Sequence, residues 1–232
     1  DFGADPSYVD FDKVNSTKMS LLREAYKNFE EDAGFLAFER NEADWLDDYS
    51  LFMALKTENN LVSWTEWSEE LRFRKPEAIE EARERLKDEI GFWKFIQHTF
   101  YSQWDRLKSY ANKNGISIIG DIPIYVALDS SDVWANTSLF EMDERLNPKR
   151  VAGVPPDYFS ETGQLWGNPL YDWGSMKKEK FSWWISRIRK AAQLYDVVRV
   201  DHFRAFDTYW AVPYGDTTAI NGKWEQGPGM DL

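Results

Sequence analysis

Two short apolar runs, each carrying an aspartate at or near its end, constrain this chain more than any other feature. Residues 116–126 read Ile-Ser-Ile-Ile-Gly-Asp-Ile-Pro-Ile-Tyr-Val, and residues 195–206 read Tyr-Asp-Val-Val-Arg-Val-Asp-His-Phe-Arg-Ala-Phe. Ile and Val suit a pleated, packed environment. Between the runs, residues 177–194 place Phe181, Trp184, Ile185, Ile188, Ala192 and Leu194 at helical spacing. Strand, connection, helix and strand in that order predict a βαβ unit with a parallel pair, hence an α/β fold. Pro123 removes a ladder donor, so the first strand is expected to end near Asp121. The second ends in a crowd of charge: Arg199, Asp201, His202 and Arg204. The C-terminal ends of parallel strands are where α/β folds build sites.

Charge narrows the partners. Against 28 Lys and Arg stand 40 Asp and Glu, a net charge of −12. That balance disfavours nucleic acid, which requires a clustered basic face, and an anionic membrane surface. Cysteine is absent and His98 and His202 are the two histidines, so neither thiolate nor His-rich metal chemistry is expected. No metal or other cofactor is expected. The start of the chain has no signal-peptide pattern and no initiator Met, pointing to an excised chain. With the missing cysteines, this suits a reducing, cytoplasmic location. Twelve tryptophans, within 16% aromatic residues, exceed what a core alone explains where they sit beside Gly and Pro. Flat rings in such loops suit stacking on sugars.

Along the chain, residues 1–17 read as an irregular lead-in, and helical patterns follow at 18–29, 33–40 and 43–56. Pro76 is suited to open a helix. Two stripes follow, one through Ile79, Ala82, Leu86 and Ile90, the other through Trp93, Ile96, Phe100, Trp104, Leu107 and Ala111. Gly91 between them predicts two helices or one bent helix, ended by Asn114-Gly115. Residues 1–114 are therefore expected to form a mostly helical subdomain, and 115–232 the α/β part. Within the latter, 127–175 is long, turn-rich and aromatic, which marks a functional loop rather than disorder. After Phe206 the chain reads as Gly-, Pro- and Trp-rich and irregular.

Asp121 and Asp201 at neighbouring strand ends can face one pocket. Arg199 lies two residues before Asp201, so both side chains point to one face of an extended strand. An arginine beside an aspartate favours the charged carboxylate, the form that acts as a nucleophile or electrostatic stabiliser. Retaining glycoside chemistry has that requirement in its first step. A self-satisfying structural Arg–Asp pair explains the same spacing equally well. Phosphate-loop and nucleophile-elbow motifs are absent.

Three segments in order resemble the 4-α-glucanotransferases called amylomaltases or disproportionating enzymes, of the α-amylase clan. They are Arg199-Val-Asp201-His202-Phe203-Arg204-Ala205-Phe206, Gly120-Asp121-Ile-Pro-Ile-Tyr-Val126, and residues 151–171 with Pro-Pro-Asp157-Tyr158-Phe159 and Trp166-Gly-Asn-Pro. The resemblance implies a partial (β/α)8 TIM-barrel catalytic domain with helical and loop insertions. It implies Asp201 as the nucleophile of a retaining double displacement on α-1,4-glucans and maltooligosaccharides. By the same resemblance Asp121, Arg199 and His202 hold the sugar at the cleavage subsite. Asp157, Tyr158, Phe159 and Trp166 belong to a loop arching over the glucan. The family usually has Gly where this chain has Ala205, a change expected to be tolerated. No segment of 207–232 resembles the family's general acid Glu or its third acid, so this chain is expected to be an inactive central piece. An amylase-type hydrolase and a non-catalytic glucan-binding piece are the alternative readings.

Overall fold

The computed structural model describes residues 7–232. The first six residues of the expected lead-in lie outside the described residues. From Phe11 on, that lead-in is helical rather than irregular. Helix α1 (Phe11–Lys27) starts where the Asp10 carboxylate accepts the Lys13 backbone N–H at 3.0 Å, a side-chain cap that the apolar spacing could not reveal. The patterns at 33–40 and 43–56 are one helix, α2 (Ala33–Glu58). The polar stretch that appeared to divide them is used sideways. Glu42 takes the Trp45 indole N–H at 2.5 Å and the Lys190 ammonium, and Asp44 accepts the Ser186 hydroxyl at 3.2 Å.

After a short helix α3 (Glu69–Arg72), Pro76 opens α4 (Pro76–Arg85), as expected. The break before α5 (Lys87–Lys113) falls at Leu86 rather than at Gly91. Gly91 answers a packing need instead: a Cβ there would overlap the Tyr26 hydroxyl of α1. The buried positions of α5 are Ile90, Phe92 and Phe95, while Phe100 and Leu107 of the expected stripe are exposed. Helix α5 packs against both α1 and α2, so more than one of its faces is apolar. The Tyr26 ring meets Phe92 and Phe95, and Trp45 stacks on Tyr101. His98 packs between Phe35 and Phe38.

Strand β1 (Ile119–Pro123) follows; it starts three residues later than the apolar run and ends two residues past Asp121, with Pro123 as its last residue. The 127–175 segment is substantially folded. It holds α6 (Ser131–Ala135), β2 (Arg150–Val154), β3 (Gln164–Pro169) and the start of α7 (Trp173–Lys178). The expected helix 177–194 is interrupted at Lys180 and Phe181, both at positive φ, and resumes as α8 (Ser182–Leu194). Phe181 accepts that backbone because its ring is buried and its N–H bonds the Met176 carbonyl at 2.8 Å. Strand β4 (Val197–Asp201) then lies parallel to β1, with Asp121 opposite Arg199 and Pro123 opposite Asp201. Residues after Phe206 form β5 (Thr208–Pro213) and β6 (Lys223–Gln226), not an irregular tail. They complete an antiparallel sheet in the order β3-β2-β5-β6.

One core runs through helices and strands alike. Leu51, Phe52 and Leu55 of α2 share it with Ile124, Trp134, Ala152, Tyr171, Trp184 and Tyr209. The Trp134 ring meets Phe52 and Trp67 and donates its N–H to the Leu71 carbonyl at 3.0 Å. Among the described residues no helix is long and apolar enough to cross a membrane.

Candidate active site

The parallel pair exposes one face and covers the other. Along β4 the exposed residues are Val197, Arg199 and Asp201; along β1 they are Ile119, Asp121 and Pro123. Period-two alternation thus puts the three charged side chains on one open face. The other face is closed at Gly120, where a Cβ would overlap the Tyr195 ring, itself held edge-on by Trp104. Asp196 pins the opposite end of the pair. Its carboxylate accepts the Ile118 N–H and an Asn112 side-chain N–H, each at 2.8 Å, and its own N–H bonds the Ile118 carbonyl. The Ile118 bond leads the causes holding its carboxyl below the usual range.

At the open face Arg199 bridges both carboxylates. Its Nε lies 3.1 Å from Asp121 Oδ1 and its Nη2 lies 3.1 Å from Asp201 Oδ1. All three side chains are more than half exposed, so the pairs contribute little to stability, about 0–1 kcal/mol each. Their consequence is geometric: two carboxylates from neighbouring strands are held around one guanidinium. His202 follows in a left-handed conformation, φ 51°, which turns its ring against Trp166 at 4.9 Å between centroids. Burial lowers the imidazole's pKa from its ordinary value; the Arg204 charge acts in the same direction and Asp201 opposes both. Trp166 also meets the Tyr125 ring and donates its N–H to Gln164 at 3.1 Å. The link through Tyr125 was not legible in the sequence, because nothing in its run distinguishes that ring from core.

Five of the residues singled out from sequence therefore gather: Asp121, Arg199, Asp201, His202 and Trp166. Asp157, Tyr158 and Phe159 make their contacts within their own loop between β2 and β3. The Asp157 carboxylate accepts the N–H groups of Phe159 at 2.9 Å and Ser160 at 2.8 Å, an Asx-type turn. That turn presents two rings to solvent, Tyr158 97% and Phe159 93% exposed. Asp157 thus shapes the loop that carries them. Ala205 is fully buried in the short turn after His202, where its methyl is accommodated.

A family model described as 4-alpha-glucanotransferase matches residues 2–232. A 4-alpha-glucanotransferase of Clostridium butyricum is 52% identical across all of this chain and 48% of its own length. One from Aquifex aeolicus is 47% identical over 96% of this chain and 46% of its own length. The solved structure of amylomaltase from Streptococcus agalactiae in complex with acarbose superposes with a TM-score of 0.94 at 41% identity. It is covered over 48% of its length by the whole of this chain. The chain spans about half the length of these relatives. Its architecture is part of a TIM-barrel-type catalytic domain, with no closed barrel among the described residues. On matched length, on identity and on superposition alike, this chain belongs to the 4-α-glucanotransferase family.

Proposed function

We propose that the protein containing this chain is a 4-α-glucanotransferase acting on maltooligosaccharides and α-1,4-glucans, with Asp201 as its nucleophile. The observation that carries this reading is the Arg199 bridge between Asp121 and Asp201 at the ends of two parallel strands. In the first step an Asp201 oxygen attacks the anomeric carbon, and the glycosidic bond breaks as the leaving 4-oxygen gains a proton. In the second, the 4-hydroxyl of another glucan attacks the glycosyl ester, loses its proton and restores the carboxylate. Two inversions give retention. The proton donor is expected from the part of the relatives' length that these 232 residues do not span. Asp121, Arg199 and His202 hold the sugar at the cleavage subsite, and Trp166 supplies an apolar wall. The Asp157 turn carries Tyr158 and Phe159 over the glucan, where they exclude water from the ester and favour transfer over hydrolysis. We assign residues 1–114 to a helical insertion, 115–232 to the barrel with 127–175 as its active-site segment, and the protein to the cytoplasm. The acarbose carried by the S. agalactiae amylomaltase supports an oligosaccharide ligand.

The test is product analysis with maltotriose and the whole protein. Glucose together with maltodextrins longer than the substrate is expected, and Asp201→Asn is expected to abolish both. Glucose and maltose without longer products would overturn transfer in favour of an amylase-type hydrolase. The 232-residue chain alone is expected to show no transfer; measurable transfer would remove the need for a proton donor from elsewhere.

A further inference from the structure

The end of β1 is held in an unusual way. Its register with β4 stops at Pro123 opposite Asp201, and carbonyls at and beyond that point accept from side chains. The Arg187 guanidinium donates through Nη2 to the Pro123 carbonyl at 2.5 Å and through Nη1 to the Ile124 carbonyl at 3.0 Å. The Tyr171 hydroxyl donates to the same Ile124 carbonyl at 2.6 Å, and the Asn168 amide to the Val126 carbonyl at 2.9 Å. Of these donors Arg187 alone lies on α8, the helix that delivers the chain into β4. Its guanidinium packs over the Trp184 ring at 4.9 Å and the Trp183 ring at 5.5 Å, which limits its freedom.

We propose that Arg187 is a positioning residue for the site, acting through Asp121. The two strands are fixed lengthwise by two pins. Asp196 holds their starts, and Arg187 ties the far end of β1 to the helix that precedes β4. Asp121 lies two residues before Pro123, on the same strand face. A shift of that end carries Asp121 along β4 and away from the Arg199 Nε that it meets at 3.1 Å. The planar fork of arginine spans two consecutive carbonyls; a lysine ammonium offers a single point charge without that shape. Arg187 does not touch the sugar in this scheme.

The catalytic consequence rests on the transferase reading above, whereas the geometric consequence does not. In the whole protein, Arg187→Met is expected to lower kcat for maltotriose disproportionation by about tenfold or more while the protein stays folded, since small misplacements at a reacting centre carry large rate losses. Arg187→Lys is expected to recover part of that loss. Combined with Asp121→Asn, Arg187→Met is expected to add less than about threefold, because both act on one contact. Losses that multiply in the double variant would overturn the assignment. The crystal structure of Arg187→Met decides the geometry independently of any activity. Loss of the Asp121–Arg199 bridge is expected, and an intact bridge would overturn the inference. Wild-type protein that transfers nothing would sink the transferase reading but leave this structural outcome decisive for Arg187.

Discussion

At the scale of single residues, the site depends on side chains whose neighbours oppose one another. His202 illustrates this: burial and Arg204 favour its neutral form, and Asp201 favours the charged one. Because the folded state lowers this pKa below the ordinary histidine value of about 6.5, protonation favours unfolding. Stability contributed by neutral His202 is therefore present above that value and lost as pH falls through and below it. NMR titration of the whole protein is expected to place the His202 midpoint below about 6.5. Arg204→Gln is expected to raise that midpoint and Asp201→Asn to lower it; shifts of the opposite sign would refute the account. The Asp201 cluster was legible in the sequence because period two and charge crowding act locally. Arg187 was not, since its partners are backbone carbonyls more than 60 residues away, which leave no side-chain signature.

At the scale of elements, the βαβ unit was readable and its boundaries were not. The parallel pairing follows from strand, crossover helix and strand, but β1 ran on to Pro123 and the crossover helix broke at Phe181. Strand β5 did carry its signal: Tyr209 and Ala211 alternate into the core. Richness in Gly, Pro and Trp around it masked that alternation. The resemblance, rather than periodicity, singled out Trp166, which reaches His202 only through the folded β2–β3 hairpin. Strand β1 also depends on the room left at Gly120. Gly120→Ala drives a methyl into the Tyr195 ring and is expected to destabilise the whole protein by about 1–3 kcal/mol in urea unfolding. Pairing it with Tyr195→Ala is expected to cost less than the sum of the two changes; strict additivity would show that the ring is not the obstacle.

At the scale of the whole molecule, the open strand face is apolar beyond its charges. Ile119 is 68% exposed and Val197 51% exposed, side by side in register, with Ile116 exposed before them. Contiguous apolar surface of this kind binds hydrophobic probes or other chains. The 232-residue chain is expected to enhance the fluorescence of anilinonaphthalene sulfonate, and Ile119→Ser with Val197→Ser to reduce it several-fold with the circular dichroism unchanged. Dye binding indifferent to both changes would place the sticky surface elsewhere. The continuous core carries a different consequence, for protein engineering. Trp134, borne between β1 and β2, is walled in by Phe52 of α2 and by Trp67 from the connection before α3. Transplanting residues 11–113 from one relative into another would exchange half the walls of a single sealed room. Chimeras cut at residue 114 must therefore match ring for ring across the seam, however freely the cut appears to fall in a turn.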